Sequence, residues 1–204
     1  MTTTIRQYRE GDWSAVYEVC VRTGAAGRDA RGRYRSDDLI PDIYAGPYLL
    51  LEPGHAYVLD DGERAVGYII GTADTEGFVA AYRERWLPLL RNKYPEPPTS
   101  PVTLEEQKLD QMYHPEYLLR PELAQHPAHL HINLLPDYQG AGHGRALMTV
   151  FLGSVAAAGA KSCHLAVRNT NTTALGFYDR LGWRPVQVTD AADAIYLARP
   201  TRDV

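Results

Sequence analysis

The sequence predicts a mixed α/β fold: a twisted central sheet of about six to seven strands, helices on both faces, and a helical insertion ahead of the organising strand. Three observations carry this. Residues 129–167 read as strand, glycine-rich turn, helix and strand, a right-handed parallel crossover by the usual chirality rule. Residues 55–72 hold two β-rich runs around Asp60-Asp61-Gly62-Glu63, a hairpin signal. The chain then closes with a helical stripe and two strand-like runs around an Asp-Ala-Ala-Asp turn.

In chain order, Thr3 to Tyr8 reads as a first strand. Asp12 precedes Trp13, Val16, Tyr17, Cys20 and Val21, whose helical spacing predicts an amphipathic helix with Asp12 as N-cap. Gly24 to Tyr34 is expected to be a loop, its Arg28, Arg31 and Arg33 more simply solvated than bound to ligand phosphates. Leu39 to Leu51 is a short helical pattern broken by Pro41, Gly46 and Pro47, suited to a wall beside a cleft rather than a core helix. In the hairpin, Val66 to Gly71 is apolar enough to lie centrally, and its glycines permit close approach of a backbone or a ligand. Phe78, Tyr82, Trp86, Leu89 and Leu90 then recur helically. After a proline-rich break, Thr103-Leu104-Glu105-Glu106 resembles a capping box opening a helix to about Tyr113. Residues 75–127 therefore read as a helical insertion or lid on the acceptor side of a cleft, within a single domain spanning 1–204.

Next come a buried strand from His129 to Leu135, a helix from Arg145 that Gly159 stops, and a strand from Ser162 to Val167. Asn169 to Thr173 offers N-cap candidates for a helix carrying Ala174, Phe177, Tyr178 and Leu181, with Gly182 as its stop. Trp183 to Val188 and Ala194 to Ala198 are the closing strands.

Composition narrows the function. A net charge of −4 gives no electrostatic reason to expect nucleic acid or an anionic membrane as partner. Cys20 and Cys163 form no metal-like spacing, no metal site is expected, and two free thiols suit a cytoplasmic protein. Neither a signal peptide nor an apolar span long enough for a bilayer is read. Self-association into a homodimer stays open.

Gln139-Gly140-Ala141-Gly142-His143-Gly144 joins the buried strand to the helix opening at Arg145. The first N–H groups of a helix lack internal partners and lie at the positive end of its dipole, while glycines let a phosphate approach the main chain. A steric need for glycine at such a turn would explain the loop equally well. Neither the Gly-Lys-Ser/Thr phosphate loop nor the Gly-x-Gly-x-x-Gly fingerprint is present.

Gln139-x-x-Gly142-x-Gly144, directly after a strand ending Leu-Leu-Pro-Asp-Tyr, resembles the acetyl-coenzyme A signature of the GNAT superfamily of N-acetyltransferases. Val167-Arg168-Asn169-x-Asn171-x-x-Ala174-x-x-Phe177-Tyr178-x-x-Leu181-Gly182-Trp183 again resembles that family, whose late helix carries an Asn, an Ala and a Tyr at this spacing. Gly71-Thr72-Ala73-Asp74, Trp86-Leu87-Pro88 with Lys93-Tyr94, and the long insertion resemble the acetyltransferase-like C-terminal domain of eukaryotic O-GlcNAcases. There the coenzyme loop has degenerated; this sequence keeps its glycines and Gln139, as a stand-alone bacterial-type relative would.

The resemblance implies an acetyl-coenzyme A-dependent N-acetyltransferase that acetylates a primary amine of unknown identity by direct transfer. Backbone N–H groups from Gln139 to Arg145 would face the pyrophosphate, and the main chain near Leu134 and Leu135 would pair with the pantetheine amides and supply an oxyanion donor. Asn171 would touch the pantetheine arm, cap its helix, or both. Tyr178 would protonate the departing thiolate, which its reference pKa of about 10 suits; a core tyrosine is the plainer role. For the base, His131 and Asp74 are candidates, and Asn133 could orient a substrate or water. His129, His131 and Asn133 share a face only if the strand is regular, and a bulge, usual in the family at this place, would break that phase. A coenzyme-binding pseudo-enzyme serving as an interaction or sensor module is the alternative.

Overall fold

The computed structural model describes residues 2–202. Its seven strands are β1 (Thr4–Gln7), β2 (Tyr57–Asp60), β3 (Ala65–Thr72), β4 (Ala128–Leu134), β5 (Ser162–Arg168), β6 (Arg184–Val186) and β7 (Ala194–Pro200). They form one sheet in the order β1-β2-β3-β4-β5-β7-β6. β4 and β5 run parallel and every other pair antiparallel, so the sheet is mixed as expected.

Its decisive feature is how briefly β4 and β5 stay together. Their register holds only Ala128 with Cys163 and His129 with His164, after which the strands part. On its other edge β4 pairs with β3 without interruption, from Thr72 opposite His129 to Gly67 opposite Leu134. The expected bulge is therefore absent from this register, and His129, His131 and Asn133 do share one face. Gly71 explains part of the close fit: a Cβ there would collide with the His129 carbonyl and the Phe151 ring. The close approach is thus by backbone and helix rather than by a ligand.

Helices cover both faces. Behind the sheet, α7 (His143–Ala157) buries Leu147, Phe151, Leu152 and Val155, and α8 (Thr172–Arg180) follows β5. In front lie α1 (Trp13–Thr23), α2 (Leu39–Tyr44), α3 (Gly46–Leu51), α4 (Thr75–Ala81), α5 (Leu87–Leu90) and α6 (Leu104–Tyr113). A π-helical turn, Tyr82–Trp86, joins α4 to α5, with the Leu87 N–H reaching back to the Tyr82 carbonyl just before Pro88 offers no donor at all. The insertion shares the core rather than standing off it: Phe78, Tyr82, Trp86, Leu109 and Met112 join α2 and α3 in one apolar cluster. The Thr103–Glu106 capping box forms reciprocally, as predicted.

Two expectations need correcting. Asp12 precedes α1 without capping it, because Arg6 takes both its carboxylate oxygens at 2.7 Å and the Arg9 N–H takes one at 2.8 Å. Leu39–Leu51 is core as well as wall: Leu39, Ile40, Ile43, Tyr48 and Leu49 are all buried. Pro41 and Pro47 fall in the first turns of α2 and α3, where a missing N–H costs nothing, so they start helices instead of breaking one. Among the described residues no helix is long and apolar enough to cross a membrane.

Candidate active site

The parted strands open a cavity of about 700 Å³. The end of β4, the glycine loop and one side of α8 line it, together with the loop after α1. Of the residues singled out by sequence, Asn133, Leu134, Gln139, Gly140, Gly142, Gly144, Arg145, Asn171 and Tyr178 border it.

The loop is shaped by backbone need. Gly140 and Gly142 sit at φ +79° and +88°, the left-handed region that glycine enters without penalty. Gly142 then precedes α7 without any side-chain cap, and the first intrahelical bond runs from Ala146 N–H to the Gly142 carbonyl. Main-chain N–H groups from Gly140 to Arg145, those of Ala141 and His143 included, find no acceptor among the described residues. Gln139 differs from its expected role, since its N–H donates to the Pro136 carbonyl at 3.1 Å. Its side chain donates to the Leu134 carbonyl at 2.9 Å, tying the loop back to β4.

The same logic separates Leu134 from Leu135. Leu135 donates its N–H to the Val66 carbonyl at 3.0 Å and buries its side chain, so its donor is spent on β3. By strand alternation Leu134 and Ile132 turn their main-chain groups toward the gap that β5 vacates. Both line the cavity.

Tyr178, on α8, is 8% exposed, packs at a tilt against Phe177 and edge-on against Trp183, and borders the cavity. Its phenol makes no hydrogen bond among the described residues, and burial raises its pKa above the ordinary 10. Asn171 caps α8 by accepting the Ala174 N–H at 3.2 Å and also lines the cavity.

The base candidates fall in different places. Asp74 is exposed, caps α4 by accepting the Glu76 and Gly77 N–H groups, and does not border the cavity. Asn133 does border it, with Nδ2 donating to Tyr68 Oη at 2.7 Å, which leaves Oδ1 uncommitted among the described residues. His131 sits one alternation deeper in a hydrogen-bonded chain whose direction can be worked out. Thr75 Oγ1 donates to the Pro127 carbonyl at 2.7 Å and so accepts from His129 Nδ1 at 2.8 Å. His129 Nε2 is then the acceptor for Tyr48 Oη at 2.6 Å, and Tyr48 in turn accepts from His131 Nε2 at 3.2 Å. His131 is thereby the Nε2-protonated tautomer, with Nδ1 unprotonated. Burial, with His164 nearby, pushes its pKa down to about 4.

Three arginines at the cavity escaped sequence reasoning in whole or part. Arg28 and Arg180 join Arg145 in the lining, and none of the three forms an ion pair among the described residues. Arg28 was expected to be solvated; Arg31, by contrast, is held by Asp29. Arg180 falls on the helical stripe of Thr173 and Phe177, so its spacing was a usable signal.

A donor-rich helix start, an unpaired strand edge and a phenol around one cleft define an acyltransferase of the strand-splayed type. The chain belongs to the Acetyltransferase (GNAT) family, which it matches over residues 13–183. Acetyl-coenzyme A-dependent acetyl transfer is that family's general activity. Protein O-GlcNAcase of Rattus norvegicus is 28% identical over 181 residues, a stretch covering 88% of this chain and 20% of that protein. The chain thus spans about a fifth of the length of the curated relatives it matches. Among solved structures, SsHAT is 47% identical with a TM-score of 0.95, each chain being covered in full at 100%. The PaiA N-acetyltransferase of Thermoplasma acidophilum, solved with coenzyme A, shares the fold at 15% identity and a TM-score of 0.57, covering 98% of this chain and 99% of that one.

Proposed function

We propose that the chain transfers the acetyl group of acetyl-coenzyme A directly to a primary amine. The observation that carries this reading is the open end of β4, where an unpaired main-chain edge, free helix N–H groups and the Tyr178 phenol border one cavity. The N–H run from Gly140 to Arg145, the α7 dipole and Arg28, Arg145 and Arg180 suit the diphosphate of the donor. Ile132 and Leu134 suit the pantetheine amides, and a main-chain N–H on that edge suits the oxyanion that forms during attack.

The attacking amine must be neutral. Asn133 Oδ1, fixed by the Tyr68 bond on its amide nitrogen, can accept an N–H of the amine and aim its lone pair. His131 Nδ1 can take the proton but, with a pKa near 4, cannot keep it, so it serves to pass the proton to water. Tyr178 stays protonated at neutral pH and can give its proton to the departing thiolate. Direct transfer is favoured over a cysteine carrier because Cys20 and Cys163 are both buried and burial pushes both thiols up, Cys20 to about 12. The free N–H array suits coenzyme binding, and a thiol-release test separates turnover from the coenzyme-binding pseudo-enzyme.

Release of free thiol from acetyl-coenzyme A, measured against a panel of primary amines, tests the reading. Amine-dependent release is expected; acetyl-coenzyme A that binds but is never consumed with any amine would overturn it.

A further inference from the structure

We infer that the amine acceptor carries a carboxylate-like acidic group, received by Lys108 and Arg168 in a groove on the front of the sheet; this rests on the transfer reaction proposed above. β5 is an interior strand between β4 and β7, yet Ala166 in its middle and Arg168 at its end are exposed. Both share the face of His164, whose ring lies 5.5 Å from that of His129, so both point to the front. An interior strand exposes such positions only where nothing covers the sheet. Tyr196, opposite Ala166 on β7, is half-buried, and Tyr117 of the insertion lies within electrostatic reach of it. Arg168 is joined to the coenzyme cavity through its carbonyl, which accepts the N–H of cavity-lining Asn171 at 2.9 Å.

Lys108 comes from α6 and points inward. Its Nζ donates to Tyr44 Oη at 2.6 Å and Gln111 Oε1 at 2.8 Å, and Tyr44 stacks edgewise on His131 at 5.6 Å. These partners are neutral. Neither Lys108 nor Arg168 has an ion pair among the described residues, whereas Lys93 is held by both Asp38 and Asp42. Withdrawing an ammonium from water without a counter-charge is costly, and a second cation within electrostatic reach, Arg168, adds repulsion. Burial and Arg168 bring Lys108 down to about 8, so it remains largely charged at neutral pH. An acidic ligand relieves both costs at once, which a neutral or cationic amine cannot do.

The test uses matched primary amines that differ only as acid and amide: 4-aminobutyrate with 4-aminobutanamide, and glycylglutamate with glycylglutamine. Spermidine is the polycationic comparator. Each is titrated calorimetrically into the full chain saturated with coenzyme A and assayed in parallel for thiol release. The acids should bind and react about tenfold better than their amides, and spermidine worst. Lys108→Met and Arg168→Met should each erase the preference, Lys108→Arg should keep it, and acetyl-coenzyme A affinity should not move. Equal acid and amide, or a preference for spermidine, overturns the inference. So does weaker acetyl-coenzyme A binding in Arg168→Met, which would assign that residue to the donor, or acetylated Lys108 found by mass spectrometry, which would make it a target. Acid-selective binding without thiol release from any amine would sink the proposed reaction while upholding the acid-binding groove.

Discussion

The two ends of β4 carry the same kinds of residue on the same face and do different things. At Ala128 and His129 the strand is paired on both edges. There His129 is 3% exposed, and both its ring nitrogens are hydrogen-bonded. From Leu130 to Leu134 only the β3 edge is paired. There Asn133 Oδ1, His131 Nδ1 and the outward main-chain N–H of Leu134 have no hydrogen-bond partner among the described residues, while Gln139 holds the Leu134 carbonyl. Whether a polar group supports the fold or meets a ligand is thus decided by the neighbouring strand's departure, not by the residue type.

That contrast can be broken most sharply at its open end. Gly142→Val forces a β-branched residue into a left-handed conformation at the start of α7. Calorimetry should find acetyl-coenzyme A affinity lowered by more than about 100-fold, with the far-ultraviolet circular dichroism unchanged; unaltered affinity would contradict the loop assignment. Tyr178→Phe should lower kcat by about 10²–10³ if the phenol supplies the proton, while donor affinity stays within about twofold. A wild-type rate would remove Tyr178 from the chemistry.

At the closed end the loss should appear in stability instead. His129→Ala strips a partner from both Tyr48 and Thr75 in the interior, which should cost about 2–4 kcal/mol in chemical denaturation. Asn133→Ala, by comparison, should cost under about 1 kcal/mol because its site is already open, yet depress kcat/KM. Equal stability costs for the two would erase the distinction drawn between the ends.

A further expected effect is a pH dependence of stability. His129, His131 and His164 all have folded pKa values below the ordinary 6.5, the latter two near 4, chiefly through burial. The unfolded chain therefore takes up protons below about pH 6.5 that the folded chain refuses until about pH 4. Stability should be flat above that window and fall through it on acidification, by at most about 1.4 kcal/mol per pH unit for each histidine. Thermal melts from pH 7.5 to 4.5 would show it, and His164→Gln should make the slope shallower.

Periodicity and turn chemistry made most of the fold legible. The hairpin, the crossover and the α6 capping box depend on neighbours a few residues apart, and such patterns are written locally. The cavity's main-chain donors were legible for the same reason. Tertiary competition hid the rest. Asp12 looked like a cap until Arg6, on the adjoining strand, claimed its carboxylate. His129 and His131 alternate identically in sequence, and only the strand separation tells them apart. Lys108 and Arg168 lie sixty residues apart, and no local pattern announces that each falls within the other's electrostatic reach.

The missing cap on α7 has one more consequence. A helix that begins without a partner for its leading amides is an unfinished piece of secondary structure, and the donor substrate would finish it. Occupancy should then be written into hydrogen exchange: amides 140–145 slow when acetyl-coenzyme A is bound, and the whole chain melts later by simple mass action.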